Sequence, residues 1–543
     1  MDSLPPRPTS SSPPPAGGRR RGWLLHLGSA TALCLSSGLL LAVCFPPFEW
    51  SGLAWVALLP AMVAARLLSR WRHRTIAGYL MGIVFFGTTL WWIGKVTISG
   101  TIGLVLYLSL YPALWFALAG LWTSGRPPFE PKGNLFASAC LASAWTVLEW
   151  MRGWLGGGFP WNYLGASQFQ TLVFAQTARL GGSLLLSWLL VFGNGLLFFA
   201  GLRFQAEIRC EQKRSLHLDL AIGLLLLAAA ASYGLSVLVT TPAAPVQTLR
   251  YALLQPAVPQ SVENPFDPQE AIVREITLTE KAAQARPELI VWPESPIGAD
   301  LLSTPSLRVP LLSWVGVSES WLLLGTPRIQ GERLFNDALL FAPQGRSLQS
   351  YAKNRLVPFG EFVPLGTQFP ILRNLVPFDL EFSPGAAPII FQLQNPAVRI
   401  APLICFEDTF SDYARQVARE KPDLLVNITN DGWFAGTPGA RQHLANALFR
   451  SIELDLPLLR CGNTGITAFI NQNGAVVSAL PEADTKTGGG EGVLLGVAQW
   501  HRPRPTLYRA AGDWIAWLSA ALLVFGAIRA LPGRKTPRNP NGD

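Results

Sequence analysis

The strongest constraint on this chain is a recurring run of about 20 apolar residues, long enough to cross a hydrocarbon core of roughly 30 Å as a helix. Such runs occupy residues 23–44, 50–69, 75–94, 101–122, 134–151, 181–202, 217–239 and 511–530. Within lipid a segment must satisfy its own backbone hydrogen bonds, so each run reads as a membrane-spanning helix. Residues 240–510 hold no such run and are expected to fold outside the bilayer. Half of all residues are hydrophobic and only 14% are charged, which excludes an ordinary soluble protein.

The net charge of +9 marks topology. Basic residues gather in alternate segments: Arg19, Arg20 and Arg21; Arg70, Arg72 and Arg74; Arg126 and Lys132; Arg203, Arg209, Lys213 and Arg214; then Arg529, Arg534, Lys535 and Arg538. The opposite short loops carry Lys95, Arg152 and Arg179. Cytoplasmic loops are the basic ones, so both termini are expected in the cytoplasm and the large unit on the outer side. The basicity gives no reason to expect a nucleic-acid partner. Four regions follow: a Pro/Ser-rich disordered tail (1–22), a seven-span domain (23–247), an outer domain (248–505), and a last span with its tail (506–543). The first apolar run is too long for a signal peptide and has the bulky Val43 before Cys44, so it is expected to stay uncleaved.

Six cysteines do not form a disulfide framework. Cys34, Cys44 and Cys140 fall in spans and Cys210 in a basic loop, leaving Cys405 and Cys461 in the outer domain. No C-x-x-C and no histidine cluster points to a redox or metal site, and no cofactor is implied.

From about residue 248 the pattern alternates between strands and helices, which argues for a layered α/β domain. Residues 249–256, 288–295, 321–328, 336–346, 398–408 and 422–434 each read as a strand running into polar residues, and 267–285 as a helix. Three strand ends carry reactive groups: Glu294 in "VWPES", Lys353 in "YAKNRLVPFGEFVP" and Cys405 in "LICFED". Taken singly, these fit an exposed turn, a surface charge and a small core residue. Together, acid, lysine and cysteine in this order resemble the nitrilase (carbon–nitrogen hydrolase) superfamily over 248–500. With the spans before and after, and with "FRSIELDLPLLRCGNTGITAFI" (449–470) and "EWMRG…GFPW" (149–161), the whole chain resembles the bacterial apolipoprotein N-acyltransferase family.

That resemblance implies a bundle of about eight transmembrane helices carrying an inserted, extracytoplasmic αββα sandwich, in the bacterial inner membrane with the sandwich in the periplasm. It implies transfer of a fatty acyl chain from a phospholipid to the N-terminal α-amine of an S-diacylglyceryl-cysteine apolipoprotein, by a monomer needing no cofactor. Cys405 would be the nucleophile, Glu294 the proton acceptor, and Lys353 the group stabilising thiolate and oxyanion. Two departures stand out: Phe406 follows the cysteine where tyrosine is often found, and "PQSVENPF" (259–266) lacks an expected tryptophan.

Supporting residues are read more openly. Glu361 either holds Lys353 or shapes the pocket; Glu407 stands behind the cysteine; Asn430, Asp431 and Trp433 line the pocket or form a turn. Asp408 reads as a turn residue, His443 as a hydrogen-bonded structural histidine without a partner motif, and Cys461 as core. Glu149 and Arg152, three apart near the outer surface, either flank a lipid headgroup or pair with each other. The stretch 356–382, rich in Phe, Leu and Pro, reads as a lid dipping into the interface. Two other readings compete: a membrane-tethered amidase or nitrilase, and a scaffold with an inactive hydrolase-like domain.

Overall fold

The computed structural model describes residues 16–125, 127, 129–240, 247–260, 266–364, 366–375, 381–482 and 490–530. Outside the described residues lie Arg126, Arg534, Lys535 and Arg538, most of the Pro/Ser-rich tail, positions 261–265 of "PQSVENPF", and positions 365 and 376–380 of the apolar stretch read as a lid.

All eight apolar runs are helical, though not all as single helices. The first part of the chain forms α1 (Ala16–Val43), α2 (Leu59–Leu67), α3 (Trp71–Leu90), α4 (Ile98–Leu108), α5 (Leu110–Thr123), α6 (Pro131–Arg152), α7 (Leu172–Ala175), α8 (Ala178–Ile208) and α9 (Leu218–Val239). The run at 50–69 splits into a short 3-10 turn, Ser51–Trp55, and α2; the run at 101–122 breaks at Ser109 between α4 and α5. Among the described residues, four helical stretches are long and apolar enough to cross a membrane: Trp71–Lys95, Ile98–Thr123, Ala178–Ile208 and Leu218–Val239. Leu27–Val43, Ser51–Leu67 and Trp514–Arg529 are shorter apolar helices. The run at 134–151 falls in α6, which carries Asn134, Glu149 and Arg152 and buries all three. The apolar faces of these helices are left open, as at Ile98 (71% exposed) and Leu225 (71% exposed). Such a surface suits acyl chains and not water.

The second part runs β1 (Gln247–Gln255), α10 (Pro268–Ala283), β2 (Leu289–Val291), α11 (Pro305–Val317), β3 (Trp321–Gln330), β4 (Arg333–Phe341), β5 (Leu348–Ala352), β6 (Phe391–Leu393), β7 (Val398–Ile404), α12 (Ser411–Ala418), β8 (Leu424–Thr429), α13 (Gly439–Leu454), β9 (Leu458–Gly462), β10 (Ala468–Ile470), β11 (Val476–Ala479), β12 (Gly492–Trp500), α14 (Leu507–Ala511) and α15 (Trp514–Ala530). Local chemistry explains several boundaries. Asp267 caps α10 by accepting from Gln269 N, with Pro268 in the first turn, and Gly331 at φ +62° turns β3 into β4.

Two six-stranded sheets form, ordered β12-β1-β2-β3-β4-β5 and β11-β10-β9-β8-β7-β6. In the first, β1, β2 and β3 are parallel; in the second, β7, β8 and β9 are. Leu253, Val291, Leu323, Ile404 and Ile428 fill the space between the sheets. Helices α10 and α11 cover the first sheet through Ile272, Leu307 and Leu311. Helices α12 and α13 cover the second through Val417, Leu448 and Phe449, and this cluster continues unbroken into Leu41, Phe86, Trp115 and Leu190 of the membrane helices. The order of layers is helix, sheet, sheet, helix, with the second helical layer pressed against the bundle.

Candidate active site

Parallel strands aim their carboxyl ends at one edge, where open α/β sheets gather ligands. Glu294 lies just beyond β2, Lys353 directly after β5, Cys405 directly after β7, and Asn430 directly after β8. The turn under Glu294 needs a glycine opposite it. A Cβ at Gly325 on β3 would stand 2.7 Å from the Glu294 Cα and from the Pro293 carbonyl oxygen.

Lys353 is the centre of the cluster, 1% exposed. Its Nζ donates to Glu361 Oε1 at 2.8 Å and to Glu294 Oε1 at 3.2 Å. Asn336, from β4, spans the same pair, donating to Glu294 at 2.8 Å and to Glu361 at 3.1 Å. The other Glu294 oxygen accepts from the Asn430 backbone N–H at 3.0 Å. Burial alone would lower the Lys353 pKa; Glu294, Glu361 and Cys405 reverse this and hold the ammonium well above its usual range. Lys353 is therefore a fixed positive charge.

Cys405 begins a 3-10 turn, Cys405–Thr409, at φ +51°, a left-handed conformation that a cysteine adopts only when its surroundings impose it. Asn427 Nδ2 holds its carbonyl at 3.1 Å. Burial first, then Glu294, push the thiol well above its ordinary pKa, against the opposing pull of Lys353. The resting group is thus a thiol, and attack requires a base to take its proton. Glu294 and Lys353 both act on it electrostatically, the carboxylate raising its pKa and the ammonium lowering it.

Glu407 is fully buried and ties the two reactive strand ends together. Its carboxylate accepts from Ile404 N at 2.8 Å, from Asn354 N at 2.6 Å, from Arg355 N at 3.1 Å, and from the Tyr351 hydroxyl at 2.7 Å. These donors flank Lys353 on one side and Cys405 on the other, so Glu407 sets the spacing between them. Burial raises its pKa to about 7 despite those bonds.

The other expected residues fall as follows. Asn430 is buried, its side chain accepting from Gly432 N and Asn463 Nδ2. Trp433 is 41% exposed on the following turn. Phe406 is buried among Phe159, Trp161 and Phe410. Cys461 is core, its sulfur hydrogen-bonded to the carbonyls of Leu254 and Val291. Glu149 and Arg152 stand 4.0 Å apart, both buried, and each grips backbone: Glu149 accepts from Leu164 N and Arg152 donates to the Trp161 carbonyl. They brace the loop whose Phe159 and Trp161 rings rest on Phe406. In the apolar stretch, Phe369 and Ile371 are exposed (57% and 73%), and the Pro358 ring lies 3.3 Å from the place a Cβ would take at Gly157.

One expectation is corrected. Asp408 is not a solvated turn residue: it is fully buried, with Arg460 and His443 on its carboxylate. His443 is hydrogen-bonded, as expected of a structural histidine, to Asp408 at 3.0 Å and Asp431 at 2.9 Å. Cys405, Asp431 and His443 each place a potential ligand atom within 4.8 Å of the others. With a carboxylate on each ring nitrogen, His443 holds both protons and has no lone pair for a metal. Asn336, Tyr351 and Thr429 were not anticipated; Asn336 alone had a signal, a polar residue inside the apolar "LFNDALLF".

Residues 37–196 match the family described as "Apolipoprotein N-acyltransferase N-terminal domain", and residues 250–501 match "Carbon-nitrogen hydrolase". An apolipoprotein N-acyltransferase from Geobacter metallireducens is 33% identical over 508 residues, covering 90% of this chain and 93% of that one. One from Vibrio vulnificus is 30% identical over 515 residues, covering 89% and 94%. Among solved structures, a CN-hydrolase superfamily protein from Xanthomonas campestris matches with a TM-score of 0.36 at 17% identity, over 46% of this chain and 91% of that one. On near-complete coverage by relatives at this identity, the chain belongs to the apolipoprotein N-acyltransferase family.

Proposed function

We propose that this protein transfers a fatty acyl chain from a membrane phospholipid to the N-terminal α-amine of S-diacylglyceryl-cysteine on apolipoproteins, through a thioester on Cys405. The observation that carries this reading is the buried Lys353 ammonium between Glu294 and Glu361, beside a thiol at a strained strand end. Glu294 takes the thiol proton as sulfur attacks the ester carbonyl, and Lys353 faces the oxyanion. The carbon–oxygen bond breaks, Glu294 returns the proton to the leaving glycerol oxygen, and a lysophospholipid departs. The incoming amine then attacks the thioester, its proton passes to Glu294, the carbon–sulfur bond breaks, and Glu294 returns the proton to the departing sulfur, giving the amide, the free thiol and the carboxylate.

Both substrates carry acyl chains, which supports a site beside the bilayer, and the helical layer under Cys405 is continuous with the apolar helices. The similarity to relatives spans membrane helices and hydrolase domain alike, which a tethered small-amide hydrolase would not require. We place 23–247 and the last helix of 506–543 in the inner membrane as about eight spans, with the tail after that helix in the cytoplasm and 248–505 in the periplasm. Glu361, Glu407 and Asn430 act as supports of the three reacting groups, and Trp433 as a pocket wall.

The test is loading with donor alone. Incubation with phospholipid and no acceptor should raise the intact mass by one acyl chain in a hydroxylamine-labile bond. Cys405→Ala should show no adduct and Cys461→Ala should keep it. An adduct in Cys405→Ala, or acyl transfer surviving it, would refute the mechanism.

A further inference from the structure

Directly beneath Cys405 lies a closed ring of four charged side chains, drawn from four elements and each at most 1% exposed. His443, on α13, meets Asp431 Oδ1 through Nδ1 at 2.9 Å and Asp408 Oδ1 through Nε2 at 3.0 Å. Arg460, on β9, donates to the remaining oxygens, Asp408 Oδ2 at 2.6 Å and Asp431 Oδ2 at 3.1 Å. Two carboxylates and two cations make the ring neutral. Because each imidazole nitrogen faces a carboxylate oxygen, each must carry a proton. Burial would strip one of those protons, but Asp408 and Asp431 outweigh burial and Arg460 and raise the His443 pKa to about 9.

The ring reaches Cys405 by two routes. Asn427 accepts from Arg460 at 2.8 Å and donates to the Cys405 carbonyl at 3.1 Å. The Thr429 hydroxyl donates to Asp431 Oδ1 at 3.1 Å and lies against the Cys405 sulfur. The sulfur, an Asp431 oxygen and a His443 nitrogen are within 4.8 Å of one another. The neighbours of His443 are the Asp408 turn, the Asp431 turn, Arg460, Cys405, and the uncharged Trp161 ring at 5.1 Å. Arg450, farther along α13, donates to the Asp408 carbonyl.

We propose that His443 is a positioning residue for the acyl transfer: clamped as an imidazolium between Asp408 and Asp431, it locks the turns after β7 and β8. It also keeps the ring neutral, so that negative charge can build on Cys405. This rests on the acyl-enzyme reading above. If His443 loses a proton, the ring gains a net negative charge next to the sulfur. A unit charge about 5 Å away at an effective dielectric near 20 changes the ease of thiolate formation on the order of 100-fold.

The experiment measures single-turnover loading of the full-length protein with phospholipid in detergent micelles, without acceptor, from pH 6 to 10. Wild type should lose rate on the order of 100-fold as pH rises through about 9. His443→Gln should load that much more slowly at neutral pH and show no alkaline fall, with the concentration dependence on donor unchanged. Asp408→Asn removes one carboxylate from the imidazolium, so its alkaline fall should move to lower pH. A merely structural role would lower rates without moving the alkaline limb. A wild-type rate that stays flat to pH 10, or a limb persisting in His443→Gln, overturns the proposal; the wild-type profile and Asp408→Asn decide it if His443→Gln does not fold. Absence of any adduct at every pH would overturn the acyltransferase reading and this inference with it, whereas an adduct with a flat profile overturns this inference alone.

Discussion

Lys353→Arg keeps the charge and should still fail. The ammonium has three donors, of which two are committed to Glu361 at 2.8 Å and Glu294 at 3.2 Å. The third is free to serve the charge developing at Cys405. A guanidinium is a planar fork; satisfying the same two carboxylates spreads its donors in their plane and withdraws that third contact. Loss of one oxyanion donor typically costs 100- to 1,000-fold, about 2.7–4 kcal/mol in the barrier. The stability effect is smaller, because the buried pairs persist and only overpacking remains, about 1–3 kcal/mol. Lys353→Met should be worse for folding, about 3–5 kcal/mol, since two buried carboxylates would then face each other without a counter-charge, held only by neutral donors. The assay pairs single-turnover loading, read by intact mass, with the midpoint of thermal inactivation. Arg should lose loading with a modest drop in midpoint, and Met should lose both. Loading by the Arg variant within about tenfold of wild type would mean that charge alone suffices, and the geometric argument would be wrong.

Two further outcomes are expected. Gly331→Cys, at the open β3–β4 turn, should react with an impermeant thiol reagent in outer-membrane-permeabilised cells; labelling only after lysis would reverse the assigned topology. Gln442→Met should markedly lower the thermal midpoint in detergent, because it strands indole and carbonyl groups worth about 1–3 kcal/mol each when buried unpaired; an unchanged midpoint would mean those contacts contribute nothing net.

Glu294 and Cys405 were legible because each closes an apolar strand run, and strand ends are visible in one dimension; Lys353 follows the partly exposed β5, "LQSYA", and stood out only through the resemblance of its flanking motif. Glu361 stood out because its distance of eight residues from Lys353 matches the spacing of the family the chain resembles, and its carboxylate does accept from that lysine. The ring beneath Cys405 was not legible. His443 lies 35 residues from Asp408, and Arg460 lies 52 from it. Their meeting depends on β7, β8 and β9 lying side by side with α13 across them, so no local spacing announces it. The helix breaks at Ser109 and between Trp55 and Leu59 were hidden for another reason: hydropathy averages over a run and is blind to the backbone turn inside it.

Helix α13 shows why hydrolase domain and membrane helices act as one body. Successive helical residues point about 100° apart, and Gln442 and His443 use that difference. Gln442 faces the bundle: its Oε1 accepts from the Trp92 and Trp161 indoles and from Asn162, and its Nε2 donates to the carbonyls of Pro46 and Thr89. His443 faces the sheet and holds the turns that carry Cys405 and Asn430. Trp161 touches both, donating to Gln442 while its ring lies 5.1 Å from the imidazole and 6.3 Å from Phe406. A displacement of the loop braced by Glu149 and Arg152 would therefore reach Cys405 through packed, hydrogen-bonded groups. This packed contact places the Cys405 sulfur at a defined depth relative to helices whose apolar faces are open, and a flexible tether would leave that depth undefined.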